Sequence, residues 1–202
     1  DGLELNMYIM PRDITQKSED IEKVYFDIIK EVNKHVSIPI AVKIGLNFTS
    51  MTNMLYNLSI REATAIVMFN RFHRPDIDLK KEVLSSADIF STPQENVLPL
   101  RWIGMLSEDL KCDLAATTGI HDGHTVLKNL LAGAQAVQVA TIIYKKGPEF
   151  IGEMLAQMEA WMNEKKYSAI KDIIGKLNHK HVKDPALYER SQFMKYFSNA
   201  KV

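Results

Sequence analysis

The 202-residue chain has one cysteine, no excess of either charge and no long apolar run. The single Cys112 has no partner for an internal disulfide, which fits a reducing compartment such as the cytoplasm. Twenty-five basic and 25 acidic residues give a net charge of zero, so nucleic acid and anionic membranes are not expected as main partners. No segment has the length of a transmembrane span or the pattern of a signal peptide. We expect a cytoplasmic globular protein without a membrane segment that holds any charged ligand locally.

Apolar strand-like segments alternate with amphipathic segments of helical period. We predict strands at residues 3–9, 38–44, 65–69, 113–117 and 136–141. We predict helices at residues 18–32, 49–58, 98–110, 122–131 and 148–163. The remaining predictions are a polar excursion at 70–84, a small strand at 89–91, a helical turn or two at 168–177 and a helical segment at 185–197.

This alternation predicts a parallel sheet covered by helices, built from five β/α units. An open doubly wound sheet can use five strands, whereas a TIM-type (β/α)8 barrel needs eight. The chain has no initiator methionine and enters a strand at Leu3, so we expect about three units to precede it, leaving exposed strand edges. We assign residues 1–177 to the C-terminal units of such a barrel and residues 178–202 to a peripheral helical tail.

Small residues cluster at the ends of the last two predicted strands. Residues 115–122 (Ala-Ala-Thr-Thr-Gly-Ile-His-Asp) lie before a helix N-terminus, and residues 137–141 end in Ala140 and Thr141. Backbone N–H groups and a helix dipole at such a place favour an anion, as at the phosphate site of β/α barrels. Small residues also simply allow close packing of strand and helix, and the sequence leaves both interpretations open.

Ordered motifs along the chain resemble the C-terminal half of the dihydroorotate dehydrogenase family. They include Ala-Thr-Thr-Gly-Ile-His-Asp-Gly (116–123), Leu-Leu-Ala-Gly-Ala (130–134), Val-Gln-Val-Ala-Thr (137–141) and Lys-Gly-Pro (146–148). Phe-Asn-Arg-Phe (69–72), Pro-Asp-Ile-Asp-Leu (75–79) and Leu-Pro-Leu-Arg-Trp (98–102) resemble the dihydroorotate-dehydrogenase-like group. The resemblance implies FMN at the C-terminal mouth of the barrel and hydride transfer from dihydroorotate or a related small molecule, a step of pyrimidine biosynthesis.

The resemblance also assigns cofactor residues. Phosphate contacts are expected from Thr117, Thr118 and Gly119 and from Ala140 and Thr141. The family usually has paired glycines at the first loop and Gly-Thr at the second, so Thr118 and Ala140 depart from its pattern. A threonine hydroxyl can itself donate to phosphate, and we expect the site to survive.

Three further residues are expected at the cofactor. Lys43 matches a lysine that favours the negative charge of the reduced flavin, although a strand-end lysine can also simply reach solvent. An unpaired ammonium in this apolar setting would be costly, so Lys43 should have a partner. Ser91 and Thr92 stand where the family has paired glycines, and we place both at the cofactor.

Substrate contacts are expected from Asn6 and Asn70, because the family uses strand-end asparagine amides to hold a pyrimidine. Strand-end asparagines are otherwise ordinary turn formers. Arg71 or Arg74 is expected either to bind a substrate carboxylate or to be a solvated loop charge.

The catalytic base of the family, a cysteine or serine, is missing from Met-Tyr-Ile-Met-Pro at 7–11. Tyr8 is the nearest candidate, and Cys112 is expected to be a packing residue at the opposite end of the barrel. The histidines lack metal-ligand spacing, so no metal is expected, and His121, Asp122 and His124 are expected to cap or flank a helix.

The resulting hypothesis is an FMN-dependent oxidoreductase with a small-molecule substrate, and a homodimer is one expected assembly. Two alternatives stay open. One is a flavin-binding protein that has lost dihydroorotate oxidation. The other is a phosphate-binding barrel enzyme without flavin, such as an isomerase or lyase.

Overall fold

The computed structural model describes residues 1–61 and 63–190. Its strands are β1 (Leu3–Asn6), β2 (Ile40–Ile44), β3 (Ala65–Met68), β4 (Pro75–Asp78), β5 (Val83–Ser86), β6 (Asp113–Ala116) and β7 (Ala136–Val137). Its α-helices are α1 (Ser18–Asn33), α2 (Met51–Ser59), α3 (Val97–Leu106), α4 (Gly123–Ala132), α5 (Thr141–Lys146), α6 (Phe150–Glu164) and α7 (Ala186–Glu189). Short 3-10 helices span Pro93–Asn96 and Ile170–Asp172.

Five of the strands form one parallel sheet in the order β1-β2-β3-β6-β7. Each strand is therefore a neighbour of the next one in the parallel series. A doubly wound sheet reverses its strand order at a switch point, whereas the wall of a β/α barrel follows the chain without reversal. The predicted α/β fold is confirmed, and the order is that of five consecutive barrel units.

The two faces of this sheet differ in polarity. Val42, Ile66 and Leu114 point to one face and are at most 1% exposed, packed beneath the helices with Leu55 and Leu58 of α2 in the same core. Because strand side chains alternate, the opposite face carries Glu4, Asn6 and Lys43. The register places Asn6 directly opposite Lys43. Polar side chains thus line the inner, concave face.

The sheet curves strongly. Gln138, which follows β7, donates a hydrogen bond from Nε2 to the Glu4 carboxylate on β1. In a flat sheet, strands four positions apart lie about 19 Å from each other, too far for these side chains to meet. The curvature of a barrel wall brings the first and fifth strands within side-chain reach.

One prediction about the connections was incomplete and one is wrong. The polar excursion at residues 70–84 contains β4 and the first half of β5, which form an antiparallel hairpin. Asp78 stabilises its turn by accepting hydrogen bonds from the N–H groups of Lys80 (3.0 Å) and Lys81 (3.1 Å). Residues 89–91 form no strand, because the Asp88 and Ile89 carbonyls accept hydrogen bonds from the Arg71 guanidinium instead of a neighbouring strand.

The predicted end of the last strand is also wrong. β7 stops at Val137, and Thr141, which we placed in that strand, begins helix α5. Lys145 and Lys146 in the last turn of α5 favour this short helix through the dipole, and Gly147 ends it with a φ of 82°. The predicted stop of α4 at Gly133 is confirmed, with a φ of 120° at that glycine.

In the tail, residues 178–190 pack on α3. His179 donates its backbone N–H to the Gly104 carbonyl (2.7 Å), and α7 forms within the predicted helical segment. The rest of that predicted segment, residues 191–197, and the tail to residue 202 lie outside the described residues. The boundary at residue 177 stays a prediction. Among the described residues, no helix has the length and apolar character needed to cross a bilayer.

Candidate functional site

A cavity of about 290 Å³ opens at the carboxyl edge of the parallel sheet, where ligands bind in β/α folds. Residues from all five sheet strands or their following loops line it. The lining comprises Asn6, Tyr8, Lys43, Phe69, Asn70, Arg71, Ile89, Ser91, Thr117, Thr118, Gly119, Ile120, Gln138, Ala140 and Thr141. Every predicted cofactor residue except Thr92 lies here, together with Asn6, Asn70, Arg71 and Tyr8, whereas Arg74 lies outside this lining.

Thr92 lies outside this lining, contrary to our expectation. Its N–H donates to Glu95 Oε1 (2.9 Å), and its side chain and Glu95 form a capping box at the 3-10 helix Pro93–Asn96. The capping box occupies the polar groups of Thr92 and turns them away from the cavity. Its neighbour Ser91 faces the cavity instead.

Lys43 has the partner that its setting requires. Its Nζ donates to Gln138 Oε1 (2.8 Å) and lies 3.6 Å from Glu4 Oε1. The Lys43 side chain is 20% exposed and the Glu4 side chain 33%, so water still screens the pair. Three elements at different points of the sheet, β1, β2 and the segment after β7, therefore fix the ammonium group at the cavity. The alternative of a lysine that simply extends into solvent is wrong.

The loop after β6 has two consecutive residues with left-handed backbone. Thr118 and Gly119 both have a φ of 76°. A Cβ added to Gly119 would lie 2.4 Å from the backbone nitrogen of Asn96, so only glycine fits there. Thr118 adopts a conformation unfavourable for a β-branched residue, and the paired glycines typical of the family would avoid this strain.

We expected the Thr118 hydroxyl to donate to a phosphate, but it forms a hydrogen bond within the protein instead. It donates to the Phe69 carbonyl (3.1 Å), while Asn96 Nδ2 donates to the Thr118 carbonyl (3.3 Å). A hydroxyl has one proton to give, and here β3 receives it. Thr118 thus fixes the shape of the loop, and its hydroxyl cannot also donate to a phosphate in this arrangement.

The helix N-terminus that we expected to face an anion is already filled. Asp122 caps α4 by accepting hydrogen bonds from the N–H (2.7 Å) and hydroxyl (2.8 Å) of Thr125. Gly123 N–H donates to Gln157 Oε1 (2.7 Å). The expected capping role of this segment is confirmed for Asp122, and the Asp122 carboxylate excludes a second anion from the α4 terminus.

The cavity is faced instead by the Gly119 loop and the start of α5. Within residues 1–61 and 63–190, the backbone N–H groups of Gly119, Ala140 and Thr141 donate to no other protein group. Ser91, only 6% exposed, lies between two side chains: its Oγ is 3.0 Å from Thr141 Oγ1 and 3.1 Å from His121 Nε2. Ser91 N–H also donates to Thr141 Oγ1 (3.1 Å).

Arg71 is engaged within the protein. Its Nε donates to Glu95 Oε2 (2.8 Å), and its two terminal nitrogens donate to the Ile89 and Asp88 carbonyls. Arg74 donates to the same Glu95 oxygen (2.8 Å). Burial by itself raises the pKa of Glu95, but hydrogen bonds from Arg71 and the Thr92 N–H and the charges of both arginines outweigh burial and lower that pKa. Arg71 is thus neither a solvated charge nor a free donor.

Asn70 and Tyr8 also form internal hydrogen bonds at the cavity. Asn70 Nδ2 donates to the Met7 (3.2 Å) and Lys43 (3.3 Å) carbonyls, so the buried amide joins the ends of three strands. The Tyr8 hydroxyl donates to the Arg71 carbonyl (3.0 Å), and its ring contacts Phe72 edge to face. The side chain of Asn6 lies exposed at the cavity.

Cys112 lies just before the start of β6, whereas the cavity lies at the carboxyl end of that strand. The Cys112 side chain packs against the core as predicted. Burial and then the Asp113 charge raise the pKa of its thiol to about 12, so it stays a protonated packing residue at neutral pH. In the described part of the chain, no group of three or more histidine, cysteine, aspartate or glutamate side chains has the arrangement of a metal site.

The sequence analysis missed Glu4, Gln138 and Asn96. Strand alternation contains the signal for the first two, because Glu4 lies two residues before Asn6 and Gln138 lies two residues before Ala140. Asn96 had no comparable signal. It lies far along the chain from Thr118 and Asn129, both of which it contacts.

A family model described as dihydroorotate dehydrogenase matches residues 12–162. Several curated relatives are named "Dihydroorotate dehydrogenase B (NAD(+)), catalytic subunit". The chain is 28% identical over 158 residues to the Geobacter sulfurreducens protein, covering 77% of this chain and 52% of that relative. The corresponding values are 28% over 160 residues (78% and 53%) for Pyrococcus furiosus and 25% over 152 residues (74% and 50%) for Thermoplasma acidophilum. The chain spans about half the length of these relatives. It belongs to the dihydroorotate dehydrogenase family.

Proposed function

We propose that the chain is the cofactor-binding part of an FMN-dependent oxidoreductase of the dihydroorotate dehydrogenase type. One observation carries the proposal: seven of the eight residues assigned to the cofactor by resemblance line a single cavity at the carboxyl edge of the sheet. They come from separate strands and loops, so their convergence does not follow from closeness in sequence.

The donor chemistry of the cavity fits FMN. An anionic phosphate suits the unpaired N–H groups of Gly119, Ala140 and Thr141 together with nearby hydroxyls. The polar edge of a flavin ring suits the Lys43 ammonium, and the apolar groups Phe69 and Ile120 suit its ring surface. When bound, FMN supplies acceptance of a hydride and onward transfer of electrons.

Lys43 provides a positive charge at the site. The hydrogen bond from Nζ to Gln138 fixes the ammonium group before any ligand arrives, and a preorganised charge stabilises a developing negative charge without further reorganisation. Glu4 at 3.6 Å partly offsets that charge. Neutralising Glu4 would therefore strengthen the positive potential at the cavity.

For the substrate, we propose dihydroorotate or a related small carboxylated molecule, which makes this a step of pyrimidine biosynthesis. Asn6 is the predicted substrate residue with the most exposed amide in the cavity. Arg71 as a substrate ligand stays a prediction, and it requires exchange of one of its internal hydrogen bonds. Arg74, whose side chain is 54% exposed, is less constrained.

A second candidate function is flavin binding without dihydroorotate oxidation. Oxidation of dihydroorotate needs a base that removes a proton from one carbon while hydride leaves its neighbour. Tyr8 is the nearest candidate, and its hydroxyl proton is used in a hydrogen bond to the Arg71 carbonyl. The loop at residues 7–11 supplies no cysteine or serine.

The electron acceptor and partners also belong to this proposal. The names of the relatives include NAD(+) and describe catalytic subunits. By analogy, we propose NAD⁺ as the final acceptor, reached through another subunit. The cytoplasmic location and a homodimer stay predictions.

Reconstitution of the purified protein with FMN tests cofactor binding. We expect a bound flavin with a visible absorption spectrum that stays with the protein on gel filtration. A colourless protein after reconstitution would favour a phosphate-binding barrel enzyme without flavin and reject the proposal.

Anaerobic addition of dihydroorotate separates dehydrogenation from flavin binding alone. Bleaching of the bound flavin supports the oxidoreductase. If dihydroorotate causes no bleaching while fumarate reoxidises chemically reduced protein normally, the substrate assignment fails. The protein would then be a flavin protein without this activity or with another substrate.

A further inference from the structure

Ser91, His121 and Thr141 form a hydrogen-bonded group, here called the Ser91 network, beside the cavity. Ser91 Oγ contacts both His121 Nε2 and Thr141 Oγ1, and Ser91 N–H donates to Thr141 Oγ1. Ser91 and Thr141 line the cavity, whereas His121 is not part of its lining and contacts it through Ser91. The network therefore connects a titratable ring to a hydroxyl that faces the ligand.

Whether His121 Nε2 carries a proton determines the direction in which the Thr141 hydroxyl points. When His121 Nε2 carries a proton, it donates to Ser91 Oγ, and Ser91 donates its own hydroxyl proton to Thr141 Oγ1. Thr141 Oγ1 then accepts two hydrogen bonds from Ser91, so its proton must point elsewhere, and the cavity is the open direction.

The opposite state follows when Nε2 lacks a proton. Ser91 then donates to the ring nitrogen, and its oxygen becomes an acceptor for the Thr141 hydroxyl. Thr141 loses its donor toward the cavity and presents a lone pair instead. A lone pair repels an anion, whereas a hydroxyl proton binds it.

We propose that His121 is a positioning residue that sets, through Ser91, whether Thr141 donates to an anion bound in the cavity. The anion we assign is the phosphate of the flavin cofactor, so this inference rests on the function proposed above. His121 itself does not touch the ligand. Its protonated form, which can only donate from Nε2, favours binding.

The charges around His121 come from several elements. Burial is the largest influence on the pKa of His121 and lowers it, and the Lys145 ammonium on α5 lowers it further. The carboxylates of Asp122, in the same loop, and of Glu95, on the 3-10 helix, raise this pKa and partly oppose the lowering. His124 and Lys128 on α4 face Asp122. Because the pKa is lowered from its usual 6.5, the protonated form gains population below that pH. A bound phosphate should raise the pKa of His121 in return, by linkage.

The test compares FMN with riboflavin, which lacks the phosphate, in the parent protein and in His121→Gln. The glutamine amide can donate to Ser91 at every pH but does not titrate. The quantity compared is the FMN affinity of the parent divided by that of the variant. We expect this ratio to rise roughly three- to tenfold when the pH falls from 8 to 5.5, which is the size of one hydrogen bond. Titration of the phosphate itself affects both proteins equally and cancels in the ratio. Riboflavin affinity should be the same in both.

His124→Gln is the matched control. His124 is an exposed histidine on α4, three residues after His121 in the chain, and it lies outside the Ser91 network. It should keep the pH profile of the parent. If His121→Gln also keeps that profile for FMN, or if riboflavin binding changes as much as FMN binding, the inference is overturned while the proposed function stands. If the parent binds neither FMN nor riboflavin, both are overturned.

A measurement on the parent alone guards against a variant that does not fold. The ring resonances of His121 are titrated by NMR with and without inorganic phosphate as the probe. Phosphate should raise the titration midpoint of His121 and leave that of His124 nearly unchanged. Equal shifts of the two histidines, or none, would reject the network as the link.

Discussion

The Lys43 ammonium lies at the end of β2 with its side chain 20% exposed. A lysine at the end of a buried strand needs a partner, and the structure supplies Gln138 and Glu4. The sequence could predict that a partner exists because burial of a charge is costly wherever it occurs. It could not identify the partner, because Gln138 lies 95 residues away and approaches only when the sheet curves.

Lys43→Ala should slow flavin reduction far more than it affects folding. Loss of a preorganised positive charge should lower the rate of flavin reduction by on the order of 10²-fold. The free energy of unfolding should fall by only about 1 kcal/mol, since Glu4 stays partly solvated when the ammonium is gone. Stopped-flow reduction and urea unfolding measure the two effects.

The matched control is Lys23→Ala, which removes an exposed ammonium that is paired with Asp27 on α1 and lies outside the cavity lining. It should leave flavin reduction unchanged. Equal reduction rates in Lys43→Ala and the parent would reject the electrostatic role of Lys43.

Thr118 gives a second prediction at this scale, because it combines a positive φ with a useful hydroxyl. Both Thr118→Ala and Thr118→Gly remove the hydrogen bond to Phe69. Only glycine relieves the backbone strain, so Thr118→Gly should be more stable than Thr118→Ala by about 1 kcal/mol. Urea unfolding of the two variants provides the comparison.

Thr64 provides the internal comparison. Its hydroxyl also donates to a backbone carbonyl, that of Ile40 (2.9 Å), but its φ is not positive. There the order should reverse, with Thr64→Ala more stable than Thr64→Gly. If Thr118→Ala were also more stable than Thr118→Gly, the φ of Thr118 would impose no strain.

At the scale of elements, Glu95 joins the 3-10 helix before α3 to the loop after β3. Its side chain is 12% exposed and receives hydrogen bonds from Arg71 and Arg74. Glu95→Gln removes the charge of this contact and should lower the free energy of unfolding at pH 7 by about 2 kcal/mol, less than the loss for a fully buried pair.

The pH dependence of this loss has a defined sign. The pKa of Glu95 is lowered in the folded state, so its contribution is complete above the unfolded pKa of about 4.3 and disappears as pH falls through the folded value. The difference between parent and Glu95→Gln should therefore shrink below about pH 4. Glu159→Gln, on the exposed face of α6, should show little difference at any pH. A difference that persists unchanged at pH 2.5 would exclude the ionised carboxylate as its cause.

Element prediction succeeded where the hydrophobic period was long and failed where a few polar contacts decide the backbone. Helix α1 began at Ser18 as predicted, and β2, β3 and β6 matched closely. The hairpin β4-β5 escaped notice because its turn has no glycine and depends on the Asp78 carboxylate. Helix α5 escaped notice because its six residues are too few to show a helical period.

At the scale of the molecule, the cavity exists because the sheet is curved. Asn6 and Thr141 are separated by most of the chain, yet both line the same space. The order of the β/α units predicts that strand ends lie at one edge, and this much was available from the sequence. The internal hydrogen bonds of Arg71 and Thr118 were not, since their partners lie 17 to 49 residues away along the chain and meet them only in the folded protein. The capping box of Thr92 is local, because Glu95 follows three residues later.

Hydrogen exchange provides a test of this architecture and of the site together. Without ligand, amides of β3 should exchange most slowly, because it lies at the centre of the sheet between β2 and β6. On addition of FMN, the largest gain in protection should fall on residues 117–119 and on Ala140 and Thr141, which face the cavity from two different strand ends. The hairpin β4-β5 is the internal control, because its strands pair only with each other among the described residues and lie outside the cavity lining. Protection centred on that hairpin, with residues 117–119 unchanged, would place the flavin elsewhere on the protein and would contradict the proposed site.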